Sequence, residues 1–246
     1  LYLGRETGSK GCYELSGTSS LNVGLDEFIG HSGAGYFTQK AGKHTVTQTL
    51  YLGRDSGSTG AYELYDGNLT AHDEIIGYAG EGYFTQWGGT NIITGDLVLA
   101  KEQGSVGHYR LVGGTLQIAG SIIRGKGDAS LTIEGGVLSY SNSDSISFPI
   151  TLNGSTWTYN DNLYIGKNNY SSGQLNIVNS GKAENKNAFI GYGYRSSGSV
   201  RVDGEGSSWS CSYNLYVGGD VGRCRYYSRG ILEIINGGSV SCSDGY

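Results

Sequence analysis

Apolar and polar residues alternate along this chain in short bursts, and the bursts return at a fixed spacing. Leu1-Tyr2-Leu3-Gly4-Arg5 returns as Leu50-Tyr51-Leu52-Gly53-Arg54, GCYEL at 11–15 returns as GAYEL at 60–64, and GYFTQ at 35–39 returns at 82–86. A third, weaker copy begins at Leu97. Each copy also repeats within itself, because Phe28-Ile29-Gly30 matches Tyr2-Leu3-Gly4 and Phe37-Thr38-Gln39 matches Tyr13-Glu14-Leu15. The basic unit is therefore about 24 residues, doubled in the first half of the chain.

Each unit carries three strand signals. The first ends on an aliphatic residue usually followed by Gly, at Leu3, Ile29, Leu52, Ile76, Leu99, Ile123, Ile165, Ile190 and Val217. The second alternates with period two, as in Tyr62-Glu63-Leu64 and Leu175-Asn176-Ile177, which marks a strand with one buried face. The third is shorter, as in Leu69-Thr70-Ala71. Gly, Asn, Asp and Ser fill the corners, and no 3.6-residue periodicity appears. Units this short bury little alone but much when stacked. The expected fold is all-β: a parallel, right-handed β-solenoid of about ten turns, roughly 24 residues and three short strands per turn. An antiparallel sandwich or propeller is the competing reading, disfavoured by the half-period similarity and the lack of longer, paired strands. Inward ladders should run through Tyr13, Phe37, Tyr62, Phe84 and Tyr109, then Leu131, Leu175, Val200 and Leu232. Gln39 and Gln86 also fall on inward positions, where amides can bond one another or the backbone.

The organisation is read as one solenoid segment over 1–246. Regular double-turn repeats occupy 1–140, a shortened irregular turn around Pro149 occupies 141–162, and a second repeat type occupies 163–246. The first residues already sit inside a repeat, and the last stop where another turn should begin. Continuation of the chain, or stacking of its ends on neighbouring copies, is expected on that ground.

Composition narrows the function classes. Gly contributes 44 residues and Pro only 1, without a G-x-y period, so collagen is excluded. A net charge of −5 without a basic stripe argues against nucleic acid. No apolar run is long enough for a membrane-spanning helix.

The candidate chemistry is sparse. Asp26-Glu27 and Asp73-Glu74 recur two turns apart, at a separation compatible with glycoside hydrolysis, but duplication of one solvated corner is the favoured reading, since repeats produce such pairs without selection for chemistry. Asp66, Asp73 and Asp161 form no dense calcium-type loop, and His31, His44, His72 and His108 are scattered, so no metal site or cofactor is expected. Tyr2, Phe28, Tyr51, Tyr164, Phe189 and Tyr216 precede the inward aliphatic residues and should face outward. They form either a stripe able to stack on sugars or a self-stacking ladder. Of the cysteines Cys12, Cys211, Cys224 and Cys242, the pair Cys211 and Cys242 occupies matching repeat positions and is the candidate disulfide.

The second half also carries a resemblance. Gly206-Ser207-Ser208-Trp209, Asn214-Leu215-Tyr216-Val217-Gly218 and Gly230 to Val240 resemble the repeat shared by type V autotransporter adhesins and exosortase-sorted (PEP-CTERM) bacterial surface proteins, with a second copy from Gly154 to Gly191. The resemblance implies a secreted β-solenoid at the bacterial cell surface, associated with the outer membrane. It further implies an adhesin passenger, spacer or assembly scaffold rather than an enzyme. Glycans, a host or neighbouring cell surface, and further copies of the chain are the partners that follow. A polysaccharide lyase or glycosidase on the same fold, and a filament-forming module, are the alternatives.

Overall fold

The computed structural model describes residues 1–140, 146–147, 149–159, 161–218 and 228–245. It is all-β, and among the described residues every strand pairing is parallel and joins a strand to its equivalent one turn away. The strands stack as a β-solenoid of about eight turns, against the ten expected. The turns passing through 141–145 and 219–227 are described only in part. The chain divides into two compact units, Leu1–Leu131 with Gly136–Tyr140, and Thr132–Gly135 with Ser141–Tyr246.

In the first unit the period-two strands Lys10–Leu15, Ala34–Gln39, Thr59–Leu64, Glu81–Gln86 and Val106–Leu111 pair in register. Tyr13, Phe37, Tyr62, Phe84 and Tyr109 form one column. Their rings stack face to face at 5.0, 4.7, 4.9 and 4.6 Å. Phe37, Tyr62, Phe84 and Tyr109 are buried as expected, whereas Tyr13, on the first turn, is half-buried. Stacked rings exclude water on both faces, so each adds to the burial of its neighbours.

The corners explain the glycines. Gly53 has φ +67, and a Cβ there would stand 2.1 Å from the Glu81 carbonyl of the turn above. Close packing of successive turns, together with a left-handed backbone, leaves room only for hydrogen.

Two expected inward positions are corrected. Val217, in register with the buried Ile190, is 36% exposed. The register pairs Leu97 with Ile122 and Leu99 with Arg124, so Ile122 is buried while Ile123 is 39% exposed. That turn is one residue longer at its corner than a uniform spacing assumes.

In the second unit, Pro149–Asn153, Ser172–Val178, Ser197–Asp203 and Arg229–Ile235 pair in order. Leu175 and Val200 are buried, and Leu232, on the last of these strands, is half-buried. On the adjoining sheet Trp157, Ala183 and Trp209 form an inward column, a small residue between two fully buried indoles. The Trp209 Nε1–H donates to Asn185 Oδ1 at 2.7 Å. No helix among the described residues is long and apolar enough to cross a membrane.

Candidate functional site

The carboxylates expected at a solvated corner are divided by the fold. Asp26 and Asp73 are half-buried and accept backbone N–H groups, from Thr49 at 3.1 Å and Asp96 at 2.8 Å, tying one turn to the next. Glu27 and Glu74 turn inward and are 0% exposed, which corrects the solvated-corner reading. Strand alternation dictates this split, since adjacent residues point to opposite faces. Glu27, Leu50, Glu74 and Leu97 form a column, with each Glu one turn from a Leu.

Around each Glu the fold assembles a polar cluster inside the core. In the first, Gln39 Nε2 donates to the carbonyls of Gly42 and Asn68, which orients its Oε1 to accept the Tyr62 hydroxyl at 2.6 Å. With the phenol proton so committed, His44 Nδ1–H donates to the Tyr62 oxygen at 2.9 Å. His44 Nε2 lies 2.7 Å from Glu27 Oε2, both side chains fully buried, so one proton is shared across that contact.

In the second cluster Gln86 holds the Tyr109 hydroxyl at 2.6 Å in the same way, and Asn91 Nδ2 donates to that hydroxyl at 3.1 Å. Asn91 therefore reproduces the Nδ1–H of His44 but sets no atom against its Glu at hydrogen-bond distance as Nε2 does. Both oxygens of Glu74 are buried without a hydrogen-bond partner. Burial pushes the Glu74 carboxyl up to about 8, and the nearby Asn91 only tempers the shift. Burial, then the charges of Glu27 and Glu74, holds the Tyr62 phenol well above its ordinary range. These groups are sealed inside the ladder, Glu74 without a hydrogen-bond partner, and neither carboxyl reaches the surface.

The outward aromatic residues stack on one another. Tyr2, Phe28 and Tyr51 lie at 4.8 and 4.9 Å ring to ring, and Tyr164, Phe189 and Tyr216 at 4.6 and 4.9 Å. Their flanks are covered. Arg54 lies over Phe28, Lys167 over Tyr164, and Tyr192 packs edge-on against Tyr164 and Phe189. Tyr2 is 49% exposed, Phe28 is buried, and the other four are half-buried. The geometry is that of a ladder with a covered flank, with little open stripe.

Cys211 and Cys242 sit opposite one another on adjacent parallel strands, as expected. Both are free thiols; burial, then a hydrogen bond with Cys242, pushes the Cys211 thiol up. Cys224 lies outside the described residues. No cluster of His, Cys, Asp or Glu able to hold a metal ion occurs among the described residues, and His31, His72 and His108 are dispersed.

A surface feature missed in the sequence lies on the outward face of the period-two strands. Tyr36, Ala61 and Tyr83 are in register, as are Thr38, Glu63 and Thr85. They line a concave site of about 400 Å³ together with Thr59. The signal was present in GYFTQ, GAYEL and GYFTQ: once Phe37, Tyr62 and Phe84 point inward, the preceding residues point outward. No family model, curated protein or solved structure matches the chain.

Proposed function

We propose that this chain is a non-enzymatic repeat scaffold of a bacterial surface or secreted protein, displaying contact surfaces as an adhesin passenger or spacer does. One observation carries the reading. Of the duplicated carboxylates, the best candidates for glycoside chemistry, Glu27 and Glu74 are sealed in the core, on His44 and beside Asn91, while Asp26 and Asp73 are tied to backbone N–H groups of the next turn. A glycosidase needs its two carboxyls flanking a bound sugar. The expected result is no turnover of a polysaccharide panel in reducing-end and unsaturated-product assays. Turnover abolished by Glu27→Gln or Glu74→Gln in a variant that stays folded overturns the reading.

The extracellular part of the proposal draws on Cys211 and Cys242. Paired strands bring their Cα atoms to about 4.8 Å, within disulfide range. Export to an oxidising compartment predicts that the pair closes, with a mass two hydrogens lower and no reactive thiol at either position. Closing a loop of about 31 residues should add about 3–4 kcal/mol to stability. Persistence of both thiols in protein recovered from the native cell surface contradicts that placement.

A further inference from the structure

We propose that the cleft over Ala61, between Tyr36 and Tyr83, is a binding slot for one uncharged pyranose ring of an oligosaccharide. This goes beyond the scaffold reading and does not depend on it.

The inference starts from the ladder spacing. In the inward column, where aromatic residues follow one another, the rings stack at 4.6 to 5.0 Å. Ala61 interrupts the outward column, so Tyr36 and Tyr83 face each other across two strand spacings, about 9.6 Å. A flat ring in van der Waals contact with both faces, about 3.5 Å each, fills only about 7 Å. A chair-shaped saturated ring is thicker, and its axial C–H groups approach both phenols from about 4.8 Å, the repeat of the ladder itself.

The outer faces of the two rings are already occupied. Lys10 Nζ, one turn before, lies 4.9 Å from the Tyr36 ring centre, and the His108 ring, one turn after Tyr83, lies 5.9 Å away. Tyr83 is further held by its hydroxyl on Glu81 at 3.2 Å. The faces turned towards Ala61 are the ones left to a ligand. Both tyrosines are 38% exposed, as a stacking wall must be.

The rim supplies the polar half of sugar recognition. Thr38, Glu63 and Thr85 run along one side of the slot and Thr59 lies on the other, offering hydroxyls and a carboxylate to equatorial hydroxyl groups. The slot's volume of about 400 Å³ suits one or two sugar rings.

The test is saturation-transfer NMR and calorimetry with cellotetraose, chitotetraose, maltotetraose and mannotetraose up to about 10 mM, with phosphocholine and adenosine as cationic and flat-ring controls. At least one tetrasaccharide should bind saturably with a Kd near about 1 mM. Ala61→Tyr completes the ladder and fills the slot, so it should weaken binding at least about tenfold without lowering Tm. Tyr36→Ala, which opens one wall, should also weaken it about tenfold and serves if Ala61→Tyr misfolds. Failure of all four saccharides to bind, undiminished binding by both variants, or tighter binding of phosphocholine or adenosine overturns the proposal.

Discussion

The Glu27 and Glu74 clusters are two casts of one design that differ in a single side chain. Each has a Glu, a Gln held by two carbonyls, and a Tyr hydroxyl reaching down from the next turn. The first has His44 where the second has Asn91. His44 carries two nitrogens on opposite sides of a ring and spans from Tyr62 to Glu27. Asn91 donates to Tyr109 through Nδ2 and places no second nitrogen against the carboxyl. The Glu that loses its partner stays buried and keeps its proton to about pH 8 instead. A buried carboxyl is therefore accommodated in this core in two ways, by a shared proton or by neutralisation.

The comparison also explains the doubled period. Turns bearing Glu, Phe, Gln and His or Asn alternate with turns bearing Leu, Tyr, Leu and Leu. A Tyr hydroxyl is useful only above a polar turn, and a Gln only below a Tyr. The two turn types are thus complementary, and the repeating block is the pair.

The largest effect should come from breaking the first cluster. His44→Ala removes the partner of Glu27, leaves the Tyr62 oxygen without its donor and opens a cavity. A loss of about 3–5 kcal/mol is expected in urea denaturation. A loss below about 1 kcal/mol means that the cluster is not held together as described.

The second effect concerns pH. Unfolded Glu74 releases its proton from pH 4.5 upward, while the folded group keeps it until about 8. Between those values the folded state binds more protons, so stability falls as pH rises across that window and is flat on either side of it. Glu74→Gln removes this loss. The variant should match the parent near pH 4 and exceed it by roughly 3 kcal/mol at pH 7. Equal stability of the two proteins at pH 7 contradicts a protonated, buried Glu74.

Much of this was legible in the sequence. The period, the parallel stacking, the inward column of Phe37, Tyr62, Phe84 and Tyr109, and the inward Gln39 and Gln86 follow from alternation and repeat spacing alone. The clusters were not, because their members are 12 and 17 residues apart within one turn, and a turn read alone makes Asp26-Glu27 look like an ordinary polar corner. A signal did exist in the columns. His44 and Asn91 interrupt the series Leu21, Leu69 and Leu116, and Glu27 and Glu74 interrupt Leu50 and Leu97, always on the same turns as the glutamines. Two polar breaks on one turn of an apolar ladder imply that they face each other. The Tyr36–Tyr83 cleft was hidden for another reason: it depends on the smallness of Ala61, which matters only once the rings on either side are known to be in register.

The smallest expected effect is also the sharpest test of the comparison. Asn91→His converts the second cluster into the first. The imidazole Nδ1–H can take over the bond to Tyr109, and Nε2 then points at the orphaned Glu74 carboxyl as His44 points at Glu27. The substitution enlarges the side chain, but the equivalent turn houses histidine against Phe37 at 4.7 Å, and Phe84 occupies the matching place here. Hydrogen bonds to a charged partner add about 1.5–3 kcal/mol, less some repacking, so a gain of about 1–2 kcal/mol at pH 7 is expected. The decline of stability between pH 4.5 and 8 should shrink as well, since ionised Glu74 would then have a donor. Thermal melts of the parent and Asn91→His across that pH range read both effects. If the variant is less stable at every pH and keeps the full decline, the two clusters differ in more than the one side chain that distinguishes them.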